Sequence, residues 1–126
     1  MGNRCGPTIA LVTLFATLAD TSQRVGAAAA RSAKIRDLAA LLTQVQPEEI
    51  GIAVHYLSGE LPQGRIGIGP AAVSSAAATP AAQLPTLSIL EVDAGLAALA
   101  DIGGTGSAAR RARHLRELFE RMTAAE

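Results

Sequence analysis

The sequence predicts an all-α protein, an irregular bundle of about five helices with a Gly-rich loop and an Ala/Pro-rich connector. Several segments repeat apolar residues every three or four positions, as one face of a helix does. No strand–helix alternation of an α/β fold runs through the 126 residues. Hydrophobic residues make up 49% of the chain and aromatic residues 2%, so the helices should pack closely on small aliphatic side chains.

Three helices are predicted in the first half of the chain. The first covers about residues 13–25, and the second about residues 32–45 with Ser32 as its cap. The third begins at Pro47 and ends before Pro62. Their expected buried residues have helical spacing: Leu14, Phe15 and Leu18, then Ile35, Leu38, Leu41, Leu42 and Val45, then Ile50, Ala53, Val54, Leu57 and Leu61.

The second half begins with the Gly-rich loop and a segment of low complexity. Residues 71–86 are mostly Ala, Ser and Pro and predict a connector over the surface. Residues 87–90 predict a short extended segment, and Val92 to Ile102 a short helix. After the loop Gly103–Gly106, Ser107 is predicted to cap a last helix. Its apolar stripe is Leu115, Leu118, Phe119 and Met122.

Charge is distributed unevenly although the formal net charge is +0. Residues 1–36 hold five basic and one acidic side chain, residues 37–101 one basic and seven acidic, and residues 102–126 five basic and three acidic. A local basic surface of this kind can meet phosphates whatever the total charge. Cys5 is the single cysteine, which excludes an internal disulfide and favours the cytoplasm.

The last helix carries its charges in an unusual order. Arginines occupy its first half and glutamates its second half, whereas the helix dipole favours acids first and bases last. Arg110 and Arg111 also have no acidic residue four positions on, unlike Arg113 and Arg116. Two interpretations stay open: a phosphate-binding site formed with the Gly103–Gly106 loop, and an ordinary solvent-exposed arginine face.

Residues 61–70 form a second candidate site. Gly64 and Gly67 can adopt positive φ or admit a close neighbour, and Arg65 is the lone base in an acidic stretch. The residues alone favour a tight turn with buried Ile66 and Ile68 over a loop laid against a sugar-phosphate backbone. No spacing of cysteine and histidine predicts a metal site, and no Gly-Lys-Ser/Thr follows the later glycines as in a P-loop.

The stretch from Tyr56 to Gly69 resembles a known signature. It reads Tyr-Leu-Ser-Gly-Glu-Leu-Pro-Gln-Gly-Arg-Ile-Gly-Ile-Gly and is similar to a segment of the amino-terminal domain of ATP-dependent DNA ligases of actinobacterial type. The flanks Asp20–Ser22, Ser32–Ile35 and Gly103–Glu120 are similar too. The resemblance covers residues 14–126, interpreted as a partial domain, and leaves residues 1–13 as an unmatched extension.

The resemblance implies a helical module that binds duplex or nicked DNA without sequence preference during nick sealing in repair and replication. Backbone phosphates would meet arginine side chains and closely approaching glycine loops. The residues expected to contact DNA are Gly64, Arg65, Gly67, Gly104, Gly106, Ser107, Arg110 and Arg111, with Arg31 and Lys34 as weaker candidates.

The sequence departs from that family at its catalytic lysine. The family uses a lysine in Lys-x-Asp-Gly to attack ATP, and the only lysine here lies in Lys34-Ile35-Arg36-Asp37. We therefore expect no catalytic residue, no metal and no cofactor in this chain, because ATP and Mg²⁺ would belong to an absent catalytic domain. That domain could be separately encoded. The alternative is a truncated, non-binding helical interaction fragment or gene remnant, and neither hypothesis involves a membrane.

Overall fold

A computed structural model describes residues 13–126 of the chain. Those residues form six α-helices: α1 Phe15–Ala27, α2 Arg31–Gln44, α3 Pro47–Leu57, α4 Pro70–Ala77, α5 Ile89–Ala100 and α6 Ser107–Glu120. Within this range the only extended pairing is a single antiparallel bridge between Leu14 and Ser88. The all-α prediction is confirmed, with one helix more than the expected five. Of the predicted extension, only Thr13 lies among the described residues.

The core consists of two apolar clusters that meet at one aromatic pair. The first cluster lies between α1, α2 and α3 and includes Ile89 at the start of α5, and the second lies between α4, α5 and α6. Phe15 and Tyr56 pack against both clusters and touch edge to face, with ring centroids 5.6 Å apart. Such a pair stabilises by about 1 kcal/mol beyond the area that it buries. The two halves of the bundle therefore share one continuous interior.

A buried carboxylate joins the start of α1 to the start of α3. Glu49 is 1% exposed, and its Oε1 accepts hydrogen bonds from Thr13 Oγ1 at 2.7 Å and from the Gln46 N–H at 2.8 Å. Its Oε2 accepts a longer bond, 3.4 Å, from the Thr13 N–H. With Glu49 inward, α3 turns Ile50 and Val54 outward, because they lie about 100° and 140° around the helix from it. Both were predicted to be buried, and that prediction is wrong.

The connector prediction is wrong for its first half. Residues 70–77 form α4, because Pro70 suits a first helical turn and alanine favours the helix. Helix α4 packs against α6, and Ala76 is buried there. Residues 78–86 stay irregular, and the Ala82 N–H donates to the Met122 carbonyl at 2.8 Å.

The segment predicted as extended at residues 87–90 already contains the start of α5. Only Leu87 and Ser88 precede the helix, and they bond to the chain around Leu14. Ser88 Oγ accepts from the Glu91 N–H at 3.0 Å, and the Glu91 carboxylate accepts from the Ser88 N–H at 2.9 Å. This capping box is visible in the sequence as Ser-x-x-Glu and sets the first turn of α5.

Candidate nucleic-acid interface

Helix α6 begins one residue earlier than the sequence predicted. Its cap position is Gly106, with φ 74°, and Ser107 is the first helical residue, so the predicted Ser107 cap is wrong. A glycine suits this left-handed conformation, and the Ser107 N–H donates to the Gly104 carbonyl at 3.2 Å. The first turn holds no acidic residue, and no acceptor for the N–H groups of Ala108 and Ala109 lies within residues 13–126. This end of the helix therefore presents free donors and positive potential.

Arg110 folds back over the loop that precedes its own helix. Its Nη1 donates to the Thr105 carbonyl at 2.8 Å, and its Nη2 donates to the Gly103 carbonyl at 2.5 Å. A guanidinium has five N–H donors, so three remain for other partners. Arg110 thus holds the exposed loop around Gly104 in shape and keeps a full positive charge at its surface.

Arg111 joins the two glycine-bearing loops. Its Nε donates to the Gly67 carbonyl at 3.1 Å, and its Nη1 donates to the Ile102 carbonyl at 2.7 Å. The side chain points inward because Arg111 lies four residues before Leu115 and seven before Leu118, on the buried stripe of α6. The two sites that the sequence predicted separately are therefore adjacent in space.

The Gly64–Gly69 loop forms the tight turn that the residues alone favoured. Ile66 and Ile68 are half-buried and pack against the second apolar cluster, as a tight turn would require. Arg65, which lies between Gly64 and Ile66, is exposed, and Gly64 and Gly67 have φ values of 72° and 74°. The loop presents Arg65 and bare backbone on its outer side, around an open concavity of about 540 Å³.

The five arginines of the Gly64–Gly69 loop and of α6 have no carboxylate partner among the described residues. The ion pairs found there are Arg24–Asp20 and Arg121–Glu91, the latter at 3.9 Å. The pairs that the sequence offered to Arg113 and Arg116 on α6 do not form. Positive charge is therefore left uncompensated on Arg65, Arg110, Arg111, Arg113 and Arg116. Arg113 and Arg116 were not among the predicted contact residues, because glutamates lie four positions after them.

Arg31 and Lys34 belong to another part of the bundle. Both lie on α2, which packs mainly on α1, whereas α6 packs on α4 and α5. Lys34 Nζ donates to the Val25 carbonyl at 2.9 Å, which satisfies the carboxyl-terminal end of α1. Arg31 is exposed in the first turn of α2. The structure does not bring these two residues together with the glycine loops.

A polar cluster that the sequence did not predict anchors the base of the Gly64–Gly69 loop. Gln63 Nε2 donates to Asp93 Oδ1 at 2.6 Å and to the Asp93 carbonyl at 3.3 Å, and the Tyr56 hydroxyl lies 3.5 Å from the same Oδ1. Burial, and secondarily the Asp93 charge, raise the pKa of the Tyr56 hydroxyl well above its usual 10.0. Asp93 lies 30 residues after Gln63, so no local sequence pattern could indicate the contact.

Among residues 13–126, no group of three or more His, Cys, Asp or Glu side chains could hold a metal ion. None of the helices described there combines the length and the apolar composition that a membrane crossing requires.

Comparison with known proteins identifies the relatives of this chain. Over 113 residues, 90% of its length, it is 44% identical to a protein named “Probable DNA ligase” from Rhodococcus jostii (strain RHA1). Proteins of the same name from Streptomyces griseus and Anaeromyxobacter dehalogenans (strain 2CP-C) are 46% identical over 113 residues and 43% identical over 110 residues. The chain is a partial domain of a DNA ligase. The predicted resemblance to DNA ligases is thus confirmed.

This ligase segment spans about a fifth of the length of the curated relatives that it matches, 22% for the Rhodococcus and Streptomyces proteins and 21% for the Anaeromyxobacter protein. No family model matches its sequence, and no solved structure matches it significantly. The glycine loops and the arginines of α6 therefore stand as a candidate site on their own geometry.

Proposed function

We propose that this chain is a sequence-independent DNA-binding module of an ATP-dependent DNA ligase, and that its glycine loops and α6 arginines hold the backbone of duplex or nicked DNA. One observation carries the proposal. Arg111 brings two exposed backbone loops together, and five arginines without a carboxylate partner lie on the first of these loops and on α6, the helix that follows the second. Its relatives are named as DNA ligases, and DNA is the polyanion that such proteins join.

The chemistry of this surface fits phosphates better than base edges. Arginine side chains and free backbone N–H groups at the start of a helix are the donors that phosphate oxygens accept from. Arg110 bonds to two backbone carbonyls and keeps three N–H donors, so it can meet a phosphate without leaving its loop. Phosphate contacts carry no sequence information, and binding should be independent of sequence and sensitive to salt.

A binding titration tests this function. Fluorescence anisotropy would measure the affinity of the 126-residue chain for one nicked and one intact duplex of unrelated sequences. An interface of about four phosphates should lose affinity roughly 150-fold between about 50 and 200 mM salt. The proposal fails if the chain does not bind either duplex at the lower salt concentration. A weak salt dependence, or a strong preference for one sequence, would contradict the phosphate mechanism.

One observation favours the alternative of a helical fragment that contacts protein and not DNA. The apolar side chains of Ile35, Ile50 and Val54 on α2 and α3 are 57%, 41% and 48% exposed. Exposed aliphatic residues of this size can drive self-association. Sedimentation velocity distinguishes the two functions, because a monomer that binds DNA supports the proposed one and an associating chain without DNA affinity supports the fragment.

The chemical step of a ligase would lie outside this chain. Lys34, its only lysine, donates to a backbone carbonyl, and its sequence context differs from the nucleophile motif of the family. We therefore assign ATP and Mg²⁺ to a catalytic domain on a longer or separately encoded chain, and we place the pair in the cytoplasm with the DNA. Adding such a domain should restore nick sealing, which this chain alone should not perform.

A further inference from the structure

We propose that Arg111 is a positioning residue that ties the Gly64–Gly69 loop to the loop before α6, so that Arg65 and the start of α6 face the same DNA backbone as one rigid unit. This inference rests on the proposed function for its purpose, but the tie itself can be tested without DNA. The sequence by itself predicts a different role for Arg111, that of a direct phosphate ligand.

The contacts of Arg111 support a tie. One guanidinium bonds to Gly67 O and Ile102 O, two carbonyls that lie 35 residues apart in the chain. Arg111 is only partly exposed, whereas Arg110 next to it is exposed and bonds only within its own loop. A planar guanidinium can hold two acceptors in fixed geometry, and a lysine ammonium at the same position cannot reproduce that fork.

Gly67 is shaped to receive this side chain. The Cβ of any other residue there would lie 2.9 Å from Arg111 Nε and 3.0 Å from its Cζ, so the guanidinium would have to move away. Gly64 in the same loop has nearly the same φ, 72° against 74°, but nothing lies within 4 Å of its would-be Cβ. Replacing each glycine by alanine therefore imposes the same backbone strain, and only Gly67→Ala displaces Arg111.

Loop order can be measured by amide hydrogen exchange, followed by NMR on the free protein. The Gly64 N–H, bonded to the Leu61 carbonyl at 2.9 Å, reports on one loop, and the Ser107 N–H, bonded to the Gly104 carbonyl at 3.2 Å, reports on the other. Arg111→Lys keeps the charge but loses the fork, and should speed exchange at both amides by about fivefold. Arg110→Lys, the matched control, should speed exchange at Ser107 alone.

The glycine pair provides a second test that leaves every arginine in place. Gly67→Ala should speed exchange at Ser107, in the distant loop, whereas Gly64→Ala should affect only its own loop. Thermal melting of each variant identifies any that fails to fold, and the variants that remain folded decide the outcome. If Arg111→Lys and Gly67→Ala leave Ser107 exchange at the wild-type rate, the tie does not exist.

DNA titration of the same variants separates the tie from the proposed function. A tie predicts that Arg111→Lys weakens DNA binding at least fivefold although the net charge is unchanged, because Arg65 and α6 no longer act together. Affinity within twofold of wild type would overturn the positioning role. If Arg111→Lys and Gly67→Ala speed exchange at Ser107 but the wild-type protein does not bind DNA, the tie is supported and the proposed function is wrong.

Discussion

Arg113 offers a perturbation of the proposed DNA interface that leaves the fold alone. It lies on the exposed side of α6, and among residues 13–126 its guanidinium has neither a carboxylate nor a hydrogen-bond partner. Arg113→Ala therefore removes one positive charge and little else, and unfolding free energy should change by less than about 0.5 kcal/mol. Any loss of DNA affinity then reports on the charge.

The size of that loss follows from counterion release. One phosphate contact releases about 0.9 counterions, so the slope of log affinity against log salt should become shallower by about 0.9. At about 0.1 M salt this corresponds to roughly eightfold weaker binding. The loss should be the same on any duplex, because a phosphate contact does not read the sequence.

Arg121→Ala is the matched control, at the cap position that ends the same helix. Arg121 lies eight residues beyond Arg113, about 12 Å along the axis, and its guanidinium lies 3.9 Å from the Glu91 carboxylate. Arg121 is thus about one Debye length away from Arg113. Its removal should leave the salt slope of DNA binding unchanged and the DNA affinity within about twofold of wild type. Anisotropy titrations over about 50 to 200 mM salt measure both quantities. The interface would be refuted if Arg113→Ala and wild type had equal salt slopes of DNA binding, or if Arg113→Ala and Arg121→Ala lost equal DNA affinity.

Three further changes test the supports of the fold. Glu49→Ala should lower the free energy of unfolding by about 2–4 kcal/mol in urea titration, because the buried donors around Thr13 lose their acceptor; a loss below about 1 kcal/mol would contradict this. Lys34→Met should lower the melting temperature without altering the salt slope of DNA binding, since Lys34 serves α1; a shallower slope would make it a DNA contact. Tyr56 is the only tyrosine, so absorbance at about 295 nm should show its ionisation far above its usual pKa of 10.0. Because burial raises the pKa of Tyr56 in the folded state, the stabilising effect of its neutral hydroxyl is complete below about pH 10 and is lost as pH rises further. The melting temperature of Tyr56→Phe should therefore depend less on pH in that range.

The sequence predicted those elements whose signals are local. The stripe of α6 is half-buried or buried as expected, and Gly64 and Gly67 take the positive φ that their residue type allows. Where the buried face of a helix depended on a residue far away in the sequence, the prediction was wrong. Ile35, Ile50 and Val54 follow helical spacing but are exposed, because Glu49 turns α3 towards Thr13 and α2 packs mainly on α1.

The candidate site was predictable in composition but not in arrangement. Arg110 and Arg111 are predicted from the lack of an acid four residues on, and Arg65 as the lone base beside the glycines of an acidic stretch. None of the three forms an ion pair within residues 13–126. Arg113 and Arg116 were passed over because a glutamate lies four residues on in each case. Solvent-exposed pairs of this kind contribute little free energy, and their spacing alone does not ensure that they form.

By itself the sequence determined that this chain is helical, that positive charge is concentrated at both ends of the chain and on α6, and that the chain resembles part of a ligase. Those properties depend on residue type, on spacing within one or two turns, and on motifs a few residues long. Only the tertiary structure decided that Arg111 bonds to Gly67, that Lys34 serves α1, and that Asp93 anchors Gln63. Such contacts join residues far apart in the chain, and their free energy exists only after packing has brought the groups within hydrogen-bond distance.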